Sequence, residues 1–201
     1  GDGARPPAAP SAGKLTVDPI SGARGEVVAL QRVGEQVLTR FSDAGSKAGA
    51  ALSGGWRREM QLSAPTWLMV EMGPAILVGG GQAGADGRTA PVIETLDKAS
   101  GAVRATWRGE RPDDMDSLAA TGMTLGRDQA LVAIADSAGR ARAAGRDVPD
   151  QLRVMLIDGA QPPRLLFTAA PPQGVAIEDA TLTPLGEHVL VTYTVRHPPA
   201  P

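Results

Sequence analysis

The sequence predicts an all-β chain built from antiparallel four-stranded repeat units, and three observations carry that prediction. A hairpin-like pattern recurs three times along the chain. Turn-forming residues punctuate each copy at matching places. The composition is turn-rich, with 25 Gly and 17 Pro among 201 residues, above the roughly 12 % these two types take in an average protein.

Taken in order, the chain opens with a Pro/Ala/Ser-rich segment, ARPPAAPSAG at 4–13. It has too little apolar surface to offset the entropy of ordering, so residues 1–20 are expected to form a flexible tether and 21–197 the β-repeat domain. Such a tether often follows an export signal, which predicts a periplasmic or secreted protein. The first repeat copy is VVALQRVGEQVLTRF, from Val27 to Phe41. Val27, Leu30, Gly34, Val37 and Phe41 also fall at helical spacing, but the parallel with two later copies favours strands. Those copies are VIETLDKASGAVRATW, from Val92 to Trp107, and VMLIDGAQPPRLLF, from Val154 to Phe167. Each is a β-branched run, a polar turn at Gly34, Ser100-Gly101 or Asp158-Gly159, and a second apolar run closing on an aromatic residue.

A second set of strand pairs precedes or follows these copies. Thr66 to Gly79 turns at Gly73-Pro74, Leu118 to Ala135 at Gly126-Arg127-Asp128, and Ala176 to Val195 at Pro184-Leu185-Gly186. The sum is two four-stranded units, about 65–108 and 117–168, followed by a half unit at 174–197. The expected source of the missing half is the hairpin at 27–41. Ser42 to Ala64 is left as a crossover, and the Pro-rich 198–201 as a tail that ends strand pairing.

These hairpins resemble the third and fourth strands of quinoprotein-type β-propeller blades, in which an apolar run, an Asp, a small-residue-Gly turn and a Trp recur. The copy from Val92 to Trp107 has both the Asp and the Trp. The resemblance implies a propeller fold; it carries over no cofactor-binding residue. Propellers have 4 to 8 blades and this chain supplies about three. The chain is therefore expected to be a partial propeller completed by self-association or a protein partner, or else an open β-sandwich with covered edges.

Charge and motif content exclude several function classes. A net charge of −2 lacks the basic excess of a nucleic-acid binder. No apolar run approaches the length of a membrane-spanning helix, so membrane insertion is not expected. The absence of Cys removes disulfides, thiolate metal sites and Cys nucleophiles. Gly79 to Gly84 satisfies G-x-G-x-x-G, but a strand rather than a helix follows, so it reads as a flexible inter-strand loop and not a dinucleotide site. His188 and His197 form no metal-binding pair. Ser46, Ser53 and Ser137 lie in small-residue stretches without a nucleophile elbow, and Ser11 to Lys14 matches S-x-x-K only in the tether. Neither a catalytic residue nor a cofactor is expected.

Three places remain as candidate sites. Asp113, Asp114 and Asp116 form the densest acidic cluster and are the only candidates for a hard cation, although the spacing lacks the order of a calcium loop. Arg140, Arg142 and Arg146, in the insertion Ala138 to Asp150, have the fork geometry suited to carboxylate or phosphate partners. Trp56 with Arg57 and Arg58 reads as a partner anchor if the indole is exposed. The function expected is thus a non-enzymatic interaction or structural subunit of a larger assembly. The alternative is a propeller that binds or hydrolyses an anionic saccharide through Arg140, Arg142, Asp113 and Asp116.

Overall fold

A computed structural model of the chain describes residues 25–33, 35–43, 47–62, 66–112, 114–172 and 175–197. The fold is all-β, with one helix of five residues among the described residues. Among the described residues fourteen strands form four antiparallel sheets in strict chain order. The first sheet holds β1 (Gly25–Val33), β2 (Gln36–Asp43), β3 (Lys47–Leu52) and β4 (Arg57–Gln61). The second holds β5 (Thr66–Met72), β6 (Ala75–Ala83), β7 (Thr89–Asp97) and β8 (Val103–Arg108). The third holds β9 (Asp116–Thr124), β10 (Gln129–Ser137), β11 (Gln151–Asp158) and β12 (Arg164–Ala169), with α1 (Gly139–Ala143) between β10 and β11. The fourth, among the described residues, holds β13 (Ala176–Leu185) and β14 (His188–Arg196).

The units expected at 65–108 and 117–168 are the second and third sheets. The expected closure of the last unit by the N-terminal hairpin does not occur. That hairpin pairs instead with β3, through Leu38 opposite Leu52, and β3 pairs with β4, through Ala48 opposite Met60. The stretch taken for a crossover therefore supplies two strands. Its small residues hide the pattern: Ala48, Ala50 and Leu52 alternate onto one apolar face, as a strand requires, without a β-branched run to announce it.

The sheets stack face to face, and each apolar layer lies between consecutive sheets. Leu38, Ala48, Ala50, Leu52 and Met60 of the first sheet meet Ile76, Val78, Val92 and Leu96 of the second. The opposite face of the second sheet, with Leu68, Val70, Met72, Leu77 and Ile93, meets Val132, Ile134, Met155 and Ile157 of the third. Leu131, Ala133, Leu152 and Val154 then face Ile177, Leu182, Val189, Val191 and Tyr193 of the fourth. The central strands β6 and β10 are buried on both faces, which explains why AILV and ALVAI read as continuous apolar runs rather than alternating ones.

Two turn assignments are corrected as well. Gly79, Gly80 and Gly81 lie inside β6, not in a loop. A methyl group on Gly80 would come within 2.5 Å of the Leu62 side chain, and one on Gly81 within 2.3 Å of the Trp67 ring. The glycines thus let the flanking side chains lie flat on the strand. The last hairpin closes on Leu185 opposite His188, so Gly186 and Glu187 form the turn. Gly186 has a φ of 61° there, and Pro184 sits within β13, at a sheet edge where its missing donor is tolerated.

Candidate functional site

One end of the second and third sheets gathers three connections: the β6–β7 turn, the β8–β9 link and the α1 insertion. Asp114 accepts from Arg88 at 3.1 Å and from Arg146. Asp116 accepts the Thr89 amide at 2.9 Å and pairs with Arg140 Nε at 3.0 Å, while Arg140 also donates to the Gly87 carbonyl at 2.9 Å. Arg111 completes the cluster on Asp86. The hydrogen bond from Arg146 holds the Asp114 carboxyl below the usual carboxylate range and raises the Arg146 guanidinium in turn. The Asp86 carboxyl is also lowered, first by the Arg88 amide and then by Arg111 and Arg88.

This arrangement joins two sets of candidate residues. The structure brings Asp114 and Asp116 together with Arg140 and Arg146, so the acidic and basic candidates engage each other. Asp113 lies outside the described residues. Among the described residues no three His, Asp or Glu side chains are grouped to hold a metal ion. Arg142 is spent internally: it donates to Asp150 at 2.7 Å and to the Val148 carbonyl at 3.1 Å. Asp150 is buried and also accepts the Ala138 amide at 2.9 Å and the Ile177 amide at 2.8 Å, tying the insertion to the fourth sheet. Below this rim, buried Asp136 takes Arg153 at 2.6 and 3.0 Å and Ser117 at 2.7 Å. Buried charge is tolerated because each carboxylate oxygen is hydrogen-bonded.

Beside the rim, an open cleft of about 480 Å³ is lined by Gln82, Arg88, Arg108, Glu110 and Arg111. The Arg108 guanidinium donates to the neutral amide oxygen of Gln82. No sequence motif marks these residues as a site.

Trp56, Arg57 and Arg58 sit at the first two sheets. The Trp56 indole is half-buried, donates to the Lys98 carbonyl at 2.8 Å and covers Gly101. Arg57 stacks on the Phe41 ring at 3.8 Å and pairs with Glu59. Arg58 grips buried Glu94 with two hydrogen bonds, at 2.7 and 2.9 Å, and that contact raises its guanidinium above the usual arginine value.

The opposite situation holds at the fourth sheet. Met60, Trp107 and Phe167 lie on the outer strands β4, β8 and β12. They pair with Ala48, Ile93 and Val154 respectively, core residues of the third strand in each unit. Met60 is 4 % exposed, Trp107 is half-buried, and Phe167 is 45 % exposed. Leu165 and Leu166 beside it are also exposed. The cause is the strand count. Met60 shares an apolar layer with Val92 and Leu96 of β7, Trp107 packs against the layer that holds Ile157 of β11, and among the described residues the fourth sheet has no third strand. The sequence showed the half unit but marked Phe167 only as a closing aromatic. Comparison of the chain with protein-family models, with curated proteins and with solved structures finds no match.

Proposed function

We propose that the chain is a propeller-like repeat module acting as a non-enzymatic interaction or structural subunit of a larger assembly, in the periplasm or outside the cell. The observation that carries this reading is the unequal strand count. Among the described residues three units have four strands and the fourth has two, and Leu165, Leu166 and Phe167 on β12 lie open. Exposed apolar surface beside a free strand edge is the usual mark of an interaction site. The carboxylates and guanidiniums at the rim are consumed by one another, which favours a structural role for them. The Pro/Ala-rich residues 1–20 suit a spacer between this module and its surroundings.

Light scattering over a concentration series, with hydrogen exchange on the same samples, tests the proposal. The expected result is either a mass above the 20.6 kDa of one chain, or a monomer whose β14 amides exchange far faster than those of β7. A monomer with β14 protected as well as β7 overturns it, because the edge would then be covered within the chain.

The cleft supports a second reading, binding of an anionic saccharide, because Arg108 faces a neutral partner there. Its test is a glycan array with wild type and Arg108→Ala. Binding of acidic glycans that the variant loses supports it, and no binding removes it.

A further inference from the structure

We infer that the layer between the second and third sheets holds a binding site for a small neutral compound of the phenol class, one flat ring carrying a single hydrogen-bonding group. Such a site is independent of the assembly reading and shares no lining residue with the Arg108 cleft. The second sheet supplies its base. Leu77, Thr95 and Ala105 lie directly opposite one another on β6, β7 and β8, so their side chains share a face, and Leu77 places that face in the layer toward the third sheet. Ile93 and Trp107 form a second row on the same face. The third sheet supplies the cover, through Ile157 of β11 and the turn from Gly159 to Pro163 that follows it. Between base and cover lies a pocket of about 110 Å³.

Thr95 points to a ligand. It is 6 % exposed and lines the pocket, yet its hydroxyl has no hydrogen-bond partner among the described residues. A hydroxyl held away from bulk water is normally bonded. Glu94, Ser117 and Asp136, comparably buried in the same two sheets, are each hydrogen-bonded. The pocket is also preformed. The Gly159 amide donates to the Asp128 carbonyl at 2.7 Å and the Gln161 amide to the Asp158 carbonyl at 3.0 Å, and two successive prolines stiffen the rest of the turn. Gly109 leaves room for the Trp107 indole, since a methyl group there would come within 2.5 Å of the ring. A ligand therefore meets little ordering cost.

The lining selects the chemical class. No charged side chain lines the pocket among the described residues, so a carboxylate or phosphate would be desolvated without a counter-charge. A cavity of about 150 Å³ lined by aliphatic side chains and Phe takes benzene, and the smaller volume here limits the ligand to a single small ring. Trp107 and Pro162-Pro163 approach from different sheets and present flat apolar faces, against which an aromatic ring packs well. A pyranose carries hydroxyls around its whole rim, and those directed at Leu77, Ile93 and Ile157 would lose water without gaining a partner. One polar group matches one hydroxyl: a phenolic O–H donates to Thr95 Oγ1, or accepts from it.

Phenol and toluene, alike in shape and different in the hydroxyl, are titrated into the full 201-residue chain and followed by amide NMR. The expected result is saturable shifts at residues 93–107 and 157–161, with phenol binding at about millimolar concentration or below. Thr95→Val keeps the shape and removes the hydroxyl, and is expected to lower the ratio of phenol to toluene affinity about fivefold. Its urea midpoint is expected to equal or exceed that of the wild type, because the hydroxyl has no bond to lose. Ala105→Leu extends a side chain into the pocket and is expected to abolish binding of both probes. No saturable phenol shift at these residues, an unchanged ratio or a lowered midpoint in Thr95→Val, or undiminished binding to a folded Ala105→Leu chain each overturns the inference. Thr95→Val conserves the packing, so its ratio decides the matter where Ala105→Leu does not fold.

Discussion

Alanine replacement at the three outer-strand positions, Met60, Trp107 and Phe167, measures how far each unit is covered. Met60 is 4 % exposed between two sheets, so Met60→Ala loses its transfer free energy and leaves a cavity, about 2 to 4 kcal/mol in all. Trp107 is half-buried against the second layer, and its removal is expected to cost about 2 to 3 kcal/mol. Phe167 is 45 % exposed; about half of the 1.5–3 kcal/mol of a fully buried side chain is at stake, roughly 1 kcal/mol, and no enclosed cavity forms. The assay is urea unfolding of the three variants and the wild type under one buffer, with the slope required to stay constant so that midpoints compare directly. The expected order of loss is Met60 and Trp107 together, then Phe167 well below them. A Phe167→Ala loss equal to that of Met60→Ala refutes the reasoning, because it would place the ring in a closed layer.

Further outcomes follow from other contacts. Gly101 has a φ of 71°, and a Cβ there would lie 2.5 Å from the Trp56 indole, so Gly101→Ala is expected to cost about 2 to 3 kcal/mol. Gly159→Ala, at a φ of 55° with nothing near its Cβ, is expected to cost only about 1 kcal/mol by thermal or urea unfolding. Arg58→Met leaves Glu94 buried without its cation; because Arg58 is 37 % exposed, the buried-pair loss is discounted to about 2 kcal/mol. The double variant with Glu94→Leu should recover most of that in a double-mutant cycle, and full additivity would mean that the two are not coupled. Asp97 accepts the Ser100 amide and hydroxyl and the Arg104 guanidinium, which pull its pKa down from 3.8 to about 2. A depressed carboxylate stabilises the fold above its unfolded pKa, and the contribution fades as pH falls from about 4 to about 2. A carboxyl titration by NMR should show a midpoint near 2, and Asp97→Asn should remove that part of the acid dependence; a midpoint near 4 contradicts the contact.

The second and third sheets were legible in the sequence because three of their hairpin turns carry Gly at positive φ, at Gly73, Gly101 and Gly159, and their outer pairs close on Trp107 and Phe167. The first sheet was not. KAGAAL and RREMQ lack the β-branched runs that mark strands, and Ala48 and Ala50 become core only when the second sheet stacks on them. The glycine run in β6 misled for the same reason, since its close neighbours Leu62 and Trp67 are tertiary. The charged rim shows a different limit. Composition counts carboxylates and guanidiniums, but the pairs Arg88 with Asp114 and Arg146 with Asp114 span 26 and 32 residues, and no local pattern announces them. The half unit was visible as a count of hairpins, while the openness of Phe167 required Met60 and Trp107 for comparison.

The sheets follow one another in chain order, and each apolar layer joins only adjacent sheets. Such a row behaves as a one-dimensional chain of coupled units, in which local stability depends on how many neighbours a unit has. The second and third sheets are held from both sides. Among the described residues the fourth has one neighbour and half the strands, so it is expected to open first and most often, independently of global unfolding. Any ligand that binds only the ordered form of the fourth sheet then raises the stability of the whole row from its weakest end.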